Sequence, residues 1–407
     1  MKLSATRKSG AAICALALST TALVACSSDE TATTDTTDTA TATDAAATTD
    51  SAASAEDRGP ITFAMGKNDT DKIIPIIEKW NAEHPDEQVT LSELAGEADA
   101  QRETLVQSLQ AGNADYDVMA LDVVWTADFA ANQWLEPLEG DYAVDTSKLL
   151  QPTVDSATYN GKLYALPQNT NGQLLFRNVD LIESKPDTFA DIKSACEAVE
   201  GDCLTTQLKQ YEGLTVNTLG FINGWGGAVI DDSGEPTVES AEAKAGLQAL
   251  VDAYADGTIA KGSTAATEEE GSAVKGKTEV SPLVGKDGVG VSTLGGYNNG
   301  INVNSKYKAT ARDFIEFVIN EENQLSFAEA SFPPVLASIY DDADLIEKYP
   351  YLPALKESLE NAQPRPVSPF YPAISKAIQD NAYAALTAGK SVDDATADMA
   401  AAIKQAQ

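Results

Sequence analysis

From Ile61 to Val124 the sequence switches back and forth between two hydrophobic periods, and no other stretch restricts the fold as much. ITFAM (61–65) reads as a strand. Ile73, Ile76, Ile77 and Trp80 then recur at helical spacing, with Pro75 near the helix start, where a missing N–H costs least. QVTLSEL (88–94) alternates as a strand, and Leu105, Val106 and Leu109 mark a second helix ending near Gly112. DVMALDVV (117–124) is almost continuously apolar, the pattern of a strand covered on both faces in a parallel sheet. A βαβαβ start of this kind predicts an open α/β lobe.

Further along, KLYALP (162–167) and GQLLFR (172–177) read as strands and Thr188 to Asp256 as mostly helical. GINVN (300–304) reads as a strand, Ala311, Phe314, Ile315 and Val318 as one helix face, and the chain from Tyr371 onward as two terminal helices. The folded body from about Pro60 to Gln407 is long enough for two lobes of ordinary size.

The N-terminal residues describe an address. Lys2, Arg7 and Lys8 precede an apolar run from Ala11 to Ala25 that is too short for a membrane span, and Cys26 follows. Residues 1–25 read as a signal peptide, and Leu23-Val24-Ala25-Cys26 resembles a bacterial lipoprotein processing site. Cys26 is then the acylated N-terminus, lipid-anchored to the outer face of the cytoplasmic membrane. Residues 26–59 are mostly Thr, Ala, Ser and Asp, with no aromatic or large aliphatic side chain. Such a stretch buries too little apolar surface to offset its ordering entropy, so it reads as a disordered tether. A net charge of −34 argues against nucleic acid and anionic membrane surfaces as partners.

Cys196 and Cys203 lie in SACEAVEGDC. On one continuous helix their Cα atoms would stand roughly 10 Å apart, and a disulfide needs less than about 7 Å. A helix must therefore end between them, with Gly201 as its stop, and an extracytoplasmic address favours the bridge. His84, before Pro85, is the only histidine; it reads as a helix C-terminal residue facing water. Neither a Ser-His-Asp triad nor a histidine zinc site can be built around it, so no metal or cofactor is expected and the chain does not read as an enzyme.

GVSTLGGYNNG (290–300) leaves two readings open. Its glycines bring backbone N–H groups close to a ligand, or Asn299-Gly300 makes a tight turn before the GINVN strand. A phosphate loop is excluded, since no Lys-Ser/Thr and helix follow the glycines.

Several stretches, in order, match one family: EADAQRETLVQSLQAG, DYDVMALDVVWTADFAANQWLEPL, GKLYALPQNTNGQLLFR, QYEGLTVN, STLGGYNNGI, ATARDFIEFV and QPRPVSPFYP. They resemble the extracellular solute-binding proteins of ABC sugar importers, most closely the trehalose/maltose-binding lipoproteins of actinobacteria. The resemblance implies an α/β fold of the periplasmic-binding-protein type, two lobes joined by a hinge with the ligand cleft between them. It places 60–168 with part of 305–370 in the first lobe, and 169–304 with the C-terminal helices in the second. It implies a monomer that captures a disaccharide, trehalose or a maltose-like α-glucoside, and delivers it to membrane permease subunits. A degenerate paralogue without transport is the alternative. A secreted glycosidase is a weaker one, because no spaced carboxylate pair singles itself out.

Site roles follow from the same resemblance. Asp122, at a strand end where open α/β sheets bind ligands, accepts from sugar hydroxyls; its other reading is a cap for the following helix. Arg102 contacts sugar or faces water on its helix. Asp69 and Asp71 supply an acidic contact or cap the helix after them. Asn171 donates and accepts through its amide, and Asn169 does the same or serves a turn. Gly295 and Gly296 bring backbone against the sugar, and Tyr297 offers a ring face and a hydroxyl. Arg365, stiffened between two prolines, reaches into the cleft or remains a surface charge. Trp225 stacks on a pyranose or packs its helix, Trp125 packs in the core or offers a sugar platform, and Trp134 reads as core. One departure stands out: TEEEG (267–271) runs directly into SAVKGKTEVSPLVG, where relatives carry an F-x-x-G-x-x-x-F-x-x-x-W-P stretch. The region from Cys203 to Tyr211 is also shorter than in relatives.

Overall fold

Phe63 and Met65 belong to one hydrophobic core, and Ala64 between them belongs to another. That alternation is the two-residue period of a strand buried on both faces, and it organises the first half of the molecule. A computed structural model describes residues 57–265 and 278–407, which lie within one compact unit. Its strands are β1 (Ile61–Gly66), β2 (Val89–Leu94), β3 (Val118–Asp122), β4 (Thr158–Tyr159), β5 (Lys162–Leu163), β6 (Ala165–Asn171), β7 (Leu174–Asn178), β8 (Thr278–Pro282), β9 (Thr293–Ile301) and β10 (Gln363–Pro364). The helices flanking the first sheet are α1 (Thr70–Glu83), α2 (Ala98–Gln110), α3 (Thr126–Ala131) and α4 (Gln151–Ser156). Next come α5 (Phe189–Cys196), α6 (Glu212–Gly224) and α7 (Ala241–Asp256), then α8 (Lys308–Val318), α9 (Glu321–Glu329), α10 (Ala343–Lys348) and α11 (Leu352–Glu360). The chain closes with α12 (Tyr371–Thr387) and α13 (Val392–Ala406).

The first lobe is a six-stranded sheet ordered β10-β9-β3-β1-β2, with β6 on β9. β1 runs parallel to β2 and β3, and β9 antiparallel to both β3 and β6. On one face Phe63, Met65, Val118 and Ala120 meet Ile73, Ile77 and Trp80 of α1 and Phe314 of α8. On the other, Ala64, Met119 and Leu121 meet Leu105 and Leu109 of α2 and Phe129 of α3. Trp125 and Trp134 pack against this second face, as core residues. The helical spacing of Ile73, Ile76, Ile77 and Trp80 is thus the buried stripe of α1.

The second lobe is helical. Leu214, Leu219 and Ile222 of α6, Leu247 and Leu250 of α7, Ile374 and Ile378 of α12, and Met399 and Ile403 of α13 share one core. The chain passes between lobes at β6–β7, at β8–β9 and between β10 and α12. The β7–β8 ladder lies at this junction: Leu174 packs on the first core and Leu175 on the second.

Three expectations change. The strand expected at GINVN is β9, which begins at Thr293, so the glycine-rich stretch is strand rather than loop. Asn299-Gly300 is no turn: Asn299 pairs with Ala120 and Leu166, and Gly300 with Met119 and Ala165. Local turn propensity loses here because ladders on both sides supply partners. A Cβ on Gly300 would press within 2.9 Å of Leu135 and 3.1 Å of Leu121, so the glycine serves packing. The same pairing moves residues 293–301 from the expected second lobe into the first sheet. Second, α5 ends at Cys196, before Gly201, which takes a left-handed φ of +91° in the turn that follows. The Cys196–Cys203 disulfide closes that turn, with Cα atoms 5.5 Å apart. Third, His84 does end α1, but its ring stacks on Trp80 at 3.9 Å instead of facing only water. Among the described residues no helix is long and apolar enough to cross a membrane. The signal peptide, Cys26, the tether up to residue 56 and the 267–271 departure lie outside the described residues. The last three residues of the expected tether do not: Asp57 bonds to Tyr142 and Lys308, Arg58 pairs with Glu87 and Asp313, and the Gly59 N–H donates to Thr310.

Candidate functional site

A cleft of about 1150 Å³ opens between one end of the first sheet, where β3 and β6 finish and β9 begins, and α6 of the second lobe. Asp122 reaches it because β3 ends there; its Oδ1 accepts the Val124 N–H (3.1 Å) in the turn that follows, and it does not cap α3. Tyr297 lies directly opposite Asp122 on β9. Its hydroxyl stands 3.5 Å from Asp69, and burial, with Asp69 and Asp122 nearby, pushes the phenol well above its usual range, so it stays a neutral donor. Asn171 lies opposite Gly295, exposed at the cleft wall.

Arg365 lies on the floor, only 7% exposed. Its Nη2 donates to Asp122 (2.9 Å) and its Nη1 to Glu212 (3.0 Å), and the guanidinium lies 5.8 Å from the Tyr371 ring centre. Burial disfavours its charge, but Asp122, Tyr371 and Glu212 outweigh that and raise its pKa above the ordinary arginine value. Tyr371 is held neutral chiefly by burial, and its hydroxyl donates to Glu212. A fixed cation, carboxylates, a phenol and an amide converge on one hollow. That set binds neutral polyhydroxylated molecules through paired donors and acceptors.

The expected site residues fall into two groups. Asp69, Asp122, Asn171, Gly295, Gly296, Tyr297, Trp225 and Arg365 line the cleft. Arg102, Asp71 and Asn169 are not among its lining residues. Arg102 on α2 is ion-paired with Asp128 on α3. Asp71 is 74% exposed beside Lys72. Asn169 is fully buried in β6, opposite Tyr297, and its amide has no partner among the described residues. Asp69 stands at the N-cap position of α1 but makes no side-chain cap bond. Trp225 ends α6 and stacks on Phe221 (5.3 Å) with Phe189 edge-on (5.6 Å), so helix packing already uses one ring face.

Gly296 is dictated by geometry. Its φ is +122°, and an added Cβ would fall on the Asn169 carbonyl and 2.8 Å from the Thr170 Cα, at the irregularity where β6 slips register against β9.

Sequence reasoning missed Glu212 and Asn217. Glu212 opens α6, where an acid is the ordinary complement to the helix dipole and draws no notice. Asn217 sits inside the apolar run GLTVNTLGFI, and that polar interruption was the available signal. Its Oδ1 accepts from Thr206 (2.6 Å) and Gln173 (3.3 Å), binding the loop after Cys203 to the cleft wall. Among the described residues no cluster of His, Cys, Asp or Glu could hold a metal ion.

The bacterial extracellular solute-binding protein family matches residues 66–325, more than half of the chain. The chain belongs to this family. A probable ABC transporter-binding protein of Deinococcus radiodurans is 28% identical over 74% of this chain and 82% of its own length. Maltose-bound T. maritima MalE3 superposes with a TM-score of 0.72 at 29% identity, covering 85% of this chain and 99% of that one. The sugar-binding protein MalE of Xanthomonas citri, at 18% identity, gives a TM-score of 0.76 over 85% of this chain and 97% of its own; it shows the shared fold. The architecture is therefore the two-lobe, maltose-binding-protein-like fold that the sequence predicts.

Proposed function

We propose that this family member captures a sugar in the cleft and presents it to the membrane permease of an ABC importer. The ligand class is a disaccharide α-glucoside, maltose or trehalose. The observation that carries this reading is Arg365, charged and buried on the cleft floor between carboxylates of the two lobes. Around it Tyr297, Asn171 and Asp69 supply the donors and acceptors that ring hydroxyls require. The 29% identical structure with maltose bound supports the same class. Anchoring through Cys26 to the outer face of the cytoplasmic membrane belongs to the proposal, as does function as a monomer.

Calorimetric titration with trehalose, maltose and maltotriose tests it. A bound sugar raises the melting temperature in step with RT ln(1 + [L]/Kd). No heat and no thermal shift with any α-glucoside, up to millimolar concentration, overturns the reading. Binding without uptake in a permease-containing cell would favour the non-transporting paralogue.

A further inference from the structure

Among the described residues, Glu212 is the one carboxylate that the second lobe contributes to the cleft lining. Its oxygens serve three donors. Arg365 Nη1 reaches Oε1 at 3.0 Å, the Tyr371 hydroxyl reaches the same oxygen, and Ser375 Oγ reaches Oε2 at 2.6 Å. Tyr371 and Ser375 open α12, so Glu212 is held by the second lobe's own framework. Arg365 belongs to neither core: it follows β10 in the segment that crosses from the first sheet to α12. With Nη2 on Asp122 and Nη1 on Glu212, its plane is set by one carboxylate from each lobe, and its Nε is buried without a partner among the described residues.

We infer that Glu212 is a positioning residue of the sugar site: it aims the Arg365 guanidinium from the second lobe and, with Asp122, forms an ionic clasp across the cleft floor. Without Glu212, the guanidinium can fork both its ends onto Asp122, the geometry that arginine and carboxylate prefer. Asp122 would then lose the oxygen that faces the ligand. The clasp also opposes lobe separation, because moving the lobes apart strips Arg365 of one of its two counter-charges at a buried position.

The inference rests on the sugar-binding reading, and the test separates the two. Glu212→Gln removes the charge but keeps the size and, with its carbonyl oxygen toward Tyr371, one acceptor; its NH2 then faces Ser375 Oγ, which can turn from donor to acceptor. Titrated with maltose and trehalose, it should bind roughly ten- to a hundredfold more weakly than wild type. Glu212→Asp should recover part of that loss, and the melting temperature without sugar should stay within a few degrees. In an Arg365→Ala background, Glu212→Gln should add little further loss, since the residue acts through Arg365. Wild-type affinity for Glu212→Gln, or the same fold-loss in both backgrounds, overturns the inference. Should wild-type protein bind neither sugar, the function reading fails, and the clasp is still read from distances between spin labels at Glu103→Cys on α2 and Ala245→Cys on α7. Glu212→Gln should broaden that distribution; an unchanged distribution overturns the clasp.

Discussion

The two lobes solve the same problem with different materials. In the first, a sheet buried on both faces carries the helices, and α1, α2 and α8 lie against it without any side-chain cap bond. In the second, helix packs on helix; α5, α7 and α13 each begin with a Thr or Ser side-chain cap, while α6 and α12 have none. Among the described residues of the first lobe only α9 and α10 carry caps, from Asn320 and Asp342. A disulfide closes the turn after α5. Long-range ladders fix the first lobe, so its cleft residues stand at strand ends that cannot move independently. Local devices fix much of the second, whose cleft residues ride on α6 and a stapled loop, with α5, β7 and the segment after β8 beside them. The first lobe should therefore be intolerant where backbones touch, and the second should fail piece by piece.

Gly296→Val attacks the first lobe where it has least freedom. The left-handed φ and the approach of Asn169 and Thr170 admit no Cβ. The expected cost is several kcal/mol, enough to abolish cooperative unfolding of the first lobe in urea. Gly226 in the second lobe has a similar φ of +83° but nothing within 4 Å of an added Cβ. Gly226→Ala should cost only about 1–2 kcal/mol. Equal losses for the pair would erase the distinction between the lobes.

Cleaving the staple comes next. The Cys196→Ser/Cys203→Ser double variant should lose about 2–3 kcal/mol, the entropy of closing so short a loop. Hydrogen exchange should quicken in α5 and in residues 203–208, whose Leu204 and Leu208 backbones bond to Thr258 and Ser263. Exchange in β1 and β3 should not change. Faster exchange throughout both lobes would mean that they unfold as one unit.

This contrast also explains what could be read from the sequence. β1 through β3 with their helices were legible because each obeys a single period over several residues, and Asp122 followed as the polar residue ending a buried strand. β9 was not legible: Gly295, Gly296, Asn298, Asn299 and Gly300 carry turn propensity, and only the flanking β3 and β6 make them a strand. Glu212 was hidden for a related reason. Its role comes from Arg365, 153 positions away, and nothing near it in sequence announces the pairing. Cys196 and Cys203 were legible because their chemistry is local.

Caps give a finer test. Ser240 Oγ accepts the Ala243 N–H (3.2 Å) at the start of α7. Ser240→Ala should cost about 1 kcal/mol by chemical denaturation, the usual value of a lost cap. On α2, where the cap position Glu97 makes no such bond, Glu97→Ala should lie within about 0.5 kcal/mol of wild type. A larger loss at Glu97 than at Ser240 would show that the sheet does not relieve its helices of capping.

The smallest expected effect lies at the rim of the first lobe, away from its ladders. The Tyr142 hydroxyl donates to Asp57 Oδ2 (2.7 Å), and Asp57 Oδ1 accepts the Lys308 N–H (2.9 Å), so one carboxylate ties the first described residues to α8. Burial, then the hydrogen bond to Asp57, pushes the Tyr142 phenol up to about 12. A raised folded-state pKa means that the fold prefers the neutral phenol. Its contribution is complete below the unfolded value near 10 and is lost as pH rises through about 12. Tyr142→Phe should cost on the order of 0.5–1 kcal/mol at neutral pH, one net hydrogen bond. Between pH 10 and 12 wild type should lose that advantage while the variant, having no proton to release there, falls less steeply. Parallel stability curves for the two proteins across that interval would show that the hydroxyl is already exchanged with water, and that the periphery of the first lobe is held by its backbone alone.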